Sequence, residues 1–312
     1  MRIVFMGTPE FSVPSLQALV TGGYEVAGVF TQPDKPRGRG NKLAPSPVKE
    51  FALAHNIPVF QPVRIRKDGV EDLKSLQPDL CVTAAFGQIL SQEILDIPKL
   101  GTVNVHASLL PRHRGSAPIN WCILMGESKT GITTMMTDKG IDTGDMLLQR
   151  EIDILPAETA GELSIRLAQL GAQTLMETLA LLVKGQCPRI PQEEAAHTYE
   201  PMLKKEMGSI DWRKSAQEIE NQVRGLDPWP GTYTFFPEGV LKIVQAQAEE
   251  GLSGTPGQVL VANGKEGLVV AAGQGAVRVL RLQAPGGKQM DARDYLRGHP
   301  LDVGQIWQEM NE

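Results

Sequence analysis

Short apolar runs alternate with helical patterns through residues 1–189. The runs "RIVFMG" (2–7), "YEVAGVF" (24–30), "DLCVTAAFG" (79–87) and "GTVNVHA" (101–107) predict strands. The third is almost wholly apolar, as a strand covered on both faces should be. Between them the spacing predicts helices over 12–23, 46–56 and 65–76. The first two place Pro near the helix start, and the first stops at a Gly pair. Strand–helix alternation of this kind predicts an α/β architecture with a doubly wound, mostly parallel sheet. Further on, "TGITTMMTD" (130–138) and "GDMLLQREID" (144–153) read as a strand pair. A long helix follows over 159–183, with Leu163, Leu167, Leu170, Leu175, Leu179 and Leu182 at helical spacing.

The pattern breaks near residue 185. Residues 190–205 are proline-bearing, polar and without period, and read as a linker. Beyond them "IDWRKSAQEIENQVRGL" gives a turn, a Trp anchor and one helix. The remainder is short β-like runs cut by glycines, such as "GTYTFF", "GLVVAAG" and "AVRVLRLQ". That spacing suits a small barrel or sandwich. The expected division is therefore a domain over 1–189, a linker over 190–205 and a second domain over 206–312.

Composition changes this picture little. The 312 residues are 41% hydrophobic and 21% charged, which is ordinary globular usage. No apolar run reaches the ~18–20 residues of a membrane span, and the N-terminal segment lacks the features of a signal peptide. Cys81, Cys122 and Cys187 are scattered and odd in number, which fits a reducing cytoplasm without disulfides or zinc spacing. Cys81, in an apolar strand, reads as a small core residue. Net charge is −5, which does not announce a nucleic-acid binder. The charge is uneven, however. Between Asp34 and Lys49 lie five basic residues (Lys35, Arg37, Arg39, Lys42, Lys49) against one acid. This Gly- and Pro-rich insertion after the second strand suits contact with phosphates, and equally a solvated surface loop. From Glu206 to Glu312 ten Lys/Arg face fourteen Asp/Glu. A nucleic-acid surface there requires Lys242, Lys265, Arg278, Arg281, Lys288 and Arg293 to gather on one face.

The chemistry concentrates in "VNVHASLLPRHRGSAPIN" (103–120). Asn104 and His106 are two apart on a strand, so they share a face, near the carboxyl end where parallel sheets bind ligands. Asp142 lies between Gly140 and Gly144 in a loop able to approach a ligand closely. An amide can donate to a developing oxyanion, an imidazole can donate or carry a proton, and a carboxylate can orient it or accept a proton. No Ser in a nucleophile elbow and no Cys accompanies the trio, so the kit suits direct acyl transfer to an external nucleophile. A pair of satisfied polar side chains on a strand is the plain alternative. His106 and His113 lack further ligands at metal spacing. The turn "GTPEF" (7–11) follows the first strand but carries no G-x-G-x-x-G, which disfavours a nicotinamide dinucleotide enzyme. It is either a ligand-facing turn or the start of a helix.

The same segment closely resembles the signature of the folate-dependent formyltransferases: Asn-x-His, then Ser-Leu-Leu-Pro, a basic-Gly segment and Ala-Pro. "DKGIDTGDML" (138–147) is similar to the family's second active-site loop. The likeness extends over the whole chain through "MGTPEFSVPSLQAL", "VFTQPDKPRGRGNKLAPSPVK" and "IDWRKSAQEIENQVRGLDPWPGTY". It implies a Rossmann-like catalytic domain followed by an OB-like barrel. It also implies transfer of a formyl group from 10-formyltetrahydrofolate, a co-substrate, to the α-amine of methionyl initiator tRNA at its acceptor end, with no metal. Asn104, His106 and Asp142 match the family's catalytic trio. Ser108, Leu109, Leu110 and Pro111 match its folate-contacting turn. Phe86 and Gly87 resemble the pterin-pocket wall, with Phe where relatives often carry Tyr. Arg37, Arg39 and Lys42 resemble the tRNA-contacting insertion. The implied enzyme is a cytoplasmic monomer without membrane attachment. Its rivals are a sugar-nucleotide formyltransferase, a 10-formyltetrahydrofolate hydrolase and a non-catalytic tRNA-binding protein.

Overall fold

The computed structural model describes residues 1–37 and 42–307. Their contacts divide into two units, one of residues 1–115, 130–152 and 164–200, the other of 116–129, 153–163 and 201–312.

The first unit is built on seven strands. In chain order these are β1 (Arg2–Gly7), β2 (Glu25–Phe30), β5 (Val59–Phe60), β6 (Leu80–Ala84), β7 (Thr102–His106), β9 (Lys129–Met136) and β10 (Met146–Asp153). Two small pairs complete it: β3 (Lys35–Arg37) with β4 (Lys42–Ala44), and β8 (Arg114–Gly115) with β11 (Tyr199–Glu200). The large sheet runs β10-β9-β7-β6-β1-β2-β5. Its pairs from β5 through β7 are parallel, and β9 joins β7 antiparallel. The parallel-dominated sheet expected from strand–helix alternation is therefore present. All five residues of β6 are buried, as an apolar run covered on both faces requires.

The helices up to residue 183 are α1 (Val13–Thr21), α2 (Pro47–Ala54), α3 (Ile65–Asp68), α4 (Val70–Ser75), α5 (Gln92–Leu95), α6 (Pro118–Leu124), which belongs to the second unit, and α7 (Ala160–Val183). In α2, Pro47 stands at the first position and Ser46 caps the end, its hydroxyl accepting from the Lys49 N–H at 3.1 Å. The helix expected over 65–76 is two helices, α3 and α4, because the backbone leaves helical geometry at Gly69. The turn "GTPEF" resolves as a helix start: a 3₁₀ turn over Glu10–Ser12 runs into α1. Ser12 donates to the Ala84 carbonyl at 2.6 Å and closes that turn against β6. In α7 the glycine at 171 permits close packing, since a Cβ there would stand 2.9 Å from Val105 Cγ1 of β7. The basic insertion contains two short strands, β3 and β4, paired antiparallel with Arg37 opposite Lys42. Burial pushes the Cys81 thiol up to about 12, so it is an inert core residue.

The second unit carries an antiparallel sheet of β12 (Thr232–Phe236), β13 (Gly239–Glu249), β14 (Val259–Asn263), β15 (Gly267–Ala271), β16 (Ala276–Gln283) and β17 (Met290–Asp291). Its order is β12-β13-β16-β15-β14, with β17 also on β16. Two helices cover it, α8 (Ala216–Gly225) and α9 (Ala292–Gly298). Ser215 and Glu218 form a reciprocal capping box at the start of α8. Trp212, Ile219, Leu241, Val270, Tyr295 and Trp307 share the core, and the Trp212 indole N–H donates to Thr234 Oγ1 at 2.9 Å. The register places Lys242, Arg281 and Arg278 on adjoining strands, the first two exposed, with Arg278 paired to Glu249 at 2.8 Å. No helix among the described residues is long and apolar enough to cross a membrane.

Candidate active site

Asn104 and His106 stand at the carboxyl end of β7, as the strand period requires. Parallel pairing sets Thr83 of β6 beside Asn104, and the Thr83 hydroxyl donates to the Asn104 amide oxygen at 2.8 Å. With its oxygen engaged, the amide presents its NH₂ as the remaining donor. Thr83 is the one hydroxyl residue in an otherwise apolar strand, a signal the sequence contained. Thr83→Val removes a single hydrogen bond of about 0.5–1.5 kcal/mol. Turnover is expected to fall roughly two- to tenfold, read as kcat at saturating co-substrates. An unchanged kcat would mean Asn104 is oriented by other contacts.

His106 is 6% exposed. Its Nε2 lies 2.9 Å from the His113 carbonyl oxygen, to which it donates. That bond sets the tautomer and leaves Nδ1 without the ring proton when the imidazole is neutral. Nδ1 is 3.7 Å from Asp142 Oδ1, an ion-pair separation too long for a hydrogen bond. Asp142 Oδ2 accepts the Gly115 N–H at 2.9 Å, so the carboxylate bridges the two signature loops.

The Asp142 loop is held in several ways. Asp142 adopts φ +54°, a left-handed conformation that Asp tolerates better than most residues. Asp138 Oδ1 accepts from the Gly140 N–H at 3.0 Å and from Thr143 Oγ1 at 2.7 Å. Gln192 Nε2 donates to the carbonyls of both Asp142 and Gly144, each at 2.8 Å. Gly144 packs so closely that a Cβ would stand 1.9 Å from the Met136 carbonyl oxygen. Gly144→Ala is therefore expected to cost about 1–3 kcal/mol of stability, measured by denaturant unfolding, with turnover falling as Asp142 is displaced. A variant as stable and active as wild type would show that the loop has room the geometry denies.

Hydrogen bonds tie the turn after β7 to its neighbours. Thr133 Oγ1 donates to the Ser108 carbonyl at 2.7 Å and accepts the Leu110 N–H at 3.1 Å. Gln149 Nε2 donates to the Leu110 carbonyl at 2.7 Å, and the Leu110–Pro111 peptide is cis. Ser108 is buried, its hydroxyl donating to the Arg112 carbonyl at 2.7 Å. Leu110 is also buried, whereas Leu109 and Pro111 are partly open. Phe86 and Gly87 follow β6. The Phe86 ring lies in the core with Met6, Phe30 and Ile94, so the absent hydroxyl falls on a side chain that packs inward. The carbonyls of both residues accept from Gln32 Nε2 at 3.1 Å, and Thr8 Oγ1 also donates to that of Phe86.

Gln61 Nε2 donates to the Gln32 carbonyl and to Asp34 Oδ1, and Lys49 Nζ donates to Asp34 Oδ2. The Lys49 and Gln61 hydrogen bonds hold the Asp34 carboxyl below its usual range. This network roots the β3–β4 hairpin beside the Phe86–Gly87 wall. Arg37 and Lys42 end and begin the paired strands, and Arg39 lies outside the described residues. No group of three or more His, Cys, Asp and Glu is placed to hold a metal among the described residues.

Sequence reading missed the 190–200 segment, taken as linker. Arg114, only 3% exposed, donates from Nε to Gln192 and from a terminal nitrogen to Glu194, each at 3.0 Å. The His113 N–H donates to Thr198 Oγ1 at 2.8 Å, and the Arg114 N–H to the Thr198 carbonyl at 2.9 Å. Nothing in the local pattern signals these contacts.

A donor pair stands at the carboxyl end of one strand of a doubly wound sheet, with a carboxylate across from it. Residues 1–179 match the formyl transferase family and residues 202–300 its C-terminal domain. The chain belongs to that family, and formyl-group transfer is its chemistry. It is 51% identical over 305 residues to the methionyl-tRNA formyltransferase of Geobacter sulfurreducens, covering 97% of this chain and 96% of the relative. The protein of that name from Acetivibrio thermocellus is 52% identical over 309 residues, covering 98% and 99%. Among solved structures, the sugar 3N-formyl transferase WlaRD, crystallised with dTDP and 5-N-formyl-THF, superposes with a TM-score of 0.66. It is 19% identical and covers all of this chain and 98% of its own. Aquifex aeolicus HypX with tetrahydrofolic acid gives 0.66 at 19% identity, covering 99% of this chain and 50% of that one. These two likenesses establish the fold.

Proposed function

We propose that this chain transfers the formyl group of 10-formyltetrahydrofolate to the α-amine of methionyl initiator tRNA, as a cytoplasmic monomer. One observation carries the chemistry. Thr83 and the His113 carbonyl engage one polar atom each of Asn104 and His106, which leaves the Asn104 NH₂ for a reactant and His106 Nδ1 on the Asp142 side without a hydrogen bond to it. The whole-length identity to proteins named for methionyl-tRNA supports the acceptor.

In this mechanism the Met amine attacks the formyl carbon directly. Asn104 donates to the oxygen as it gains charge. His106, protonated on Nδ1, donates beside it, with Asp142 stabilising the imidazolium. Formation of the product moves one proton from the Met nitrogen to N10 of the folate, which leaves with the bonding pair. The His106–Asp142 couple conducts that proton. The turn of Ser108–Pro111 and the Phe86–Gly87 segment flank the folate, and the basic insertion with Arg37, Arg39 and Lys42 meets the acceptor end of the tRNA.

The test is formyl transfer to Met-charged initiator tRNA, with dTDP-amino sugar and water as competing acceptors. Product on tRNA is expected. Folate turnover with unformylated tRNA would move the acceptor to a sugar nucleotide or to water. Affinity for tRNA is expected to fall steeply between about 50 and 200 mM salt, as phosphate contacts require. Salt-independent affinity would contradict the hairpin's role.

A further inference from the structure

His113 and Glu200 form a buried titratable pair that the mechanism above does not use. Their side chains are 4% and 7% exposed, and His113 Nδ1 lies 3.0 Å from Glu200 Oε1. His113 adopts φ +56°, a conformation L-residues rarely take without support. The support comes from residues 198–200. Thr198 Oγ1 accepts the His113 N–H at 2.8 Å and donates to Glu200 Oε1 at 3.1 Å. The β8–β11 pairing sets Tyr199 and Glu200 opposite Arg114 and Gly115. The carbonyl of this same residue, His113, accepts the Nε2–H of His106.

We infer that Glu200 is a positioning residue for formyl transfer: by holding the His113 imidazole it fixes the carbonyl that selects the His106 tautomer with Nδ1 toward Asp142. The inference rests on the reading of His106 as the proton-carrying residue. A left-handed residue relaxes easily when its side chain is released, and rotation there swings its carbonyl. The Nε2–H bond then no longer dictates which His106 nitrogen carries the proton. Glu200 touches no reactant, so its removal acts on kcat and leaves KM in place.

The experiment uses full-length protein with ¹⁵N-labelled histidine. NMR correlation of ring nitrogens with ring C–H protons reads the His106 tautomer at a pH where the ring is neutral. His106→Gln identifies the signals. Wild type is expected to show protonated Nε2 and bare Nδ1. Glu200→Gln, whose amide oxygen still accepts from the imidazole, is expected to keep that signature and most of kcat. Glu200→Leu is expected to show mixed tautomers and a kcat roughly ten- to a hundredfold lower, with both KM values unchanged. A folded Glu200→Leu with wild-type signals and kcat would overturn the inference, as would a wild-type ring protonated on Nδ1. Should Glu200→Leu fail to fold, Thr198→Val, which removes the shared hydroxyl, is judged by the same two readings. The tautomer is read without turnover. An active His106→Gln would therefore sink the catalytic reading while leaving the positioning result separately decided.

Discussion

His106→Ala is expected to lower kcat for formyl transfer by about 10²–10⁴-fold, the usual contribution of a positioned acid–base group. The effect should be large because the ring sits where nothing replaces it. It is almost fully buried, one nitrogen is committed to the His113 carbonyl, and the other faces Asp142. Alanine leaves a small void and removes the proton carrier, and the Asp142 carboxylate loses the cation it would stabilise. Folate affinity, measured by equilibrium binding without tRNA, should change little, since the imidazole acts on charge that develops after binding. Loss of folate affinity matching the loss of rate would make His106 a binding residue instead.

Asn104→Ala should cost about 10²–10³ in kcat, or about 3–4 kcal/mol of transition-state stabilisation, by comparison with other preorganised oxyanion donors. The amide is preorganised in the literal sense: Thr83 grips its oxygen, and β-pairing on both sides of β7 fixes the backbone beneath it. No reorganisation is then needed when charge appears. Single-turnover kinetics at saturating folate isolate the chemical step. A slow step unchanged by the substitution would assign the oxyanion to other donors. Asn104→Asp should be as slow as Ala or slower, because a carboxylate accepts where the amide donates and repels the developing charge.

Much of this was legible in the chain. Periodicity located β1 at its observed bounds and α7 within a residue, because both are long or strongly apolar. It joined α3 to α4 because an isolated Gly inside a helical pattern does not reveal whether the backbone tolerates or breaks there. It missed α6 and the β3–β4 hairpin, elements too short to show a period. That Asn104 and His106 share a strand end was readable from strand alternation, and the loop position of Asp142 from its flanking glycines. Gln192, Thr198 and Glu200 were not, since their partners lie 50 to 87 positions away and no local signal encodes a contact of that range.

The clasp of Gln192, Thr198 and Glu200 also has a meaning in time. A ribosome has already made Asn104, His106 and Asp142 when Gln192 is still 50 residues from being added. At about 5–20 residues per second, several seconds separate the birth of the proposed catalytic groups from the birth of the residues that tie them. A nascent or prematurely terminated chain holding the trio alone would lack the ties on the Asp142 loop and on His113. On the function proposed above, competence arrives late in synthesis.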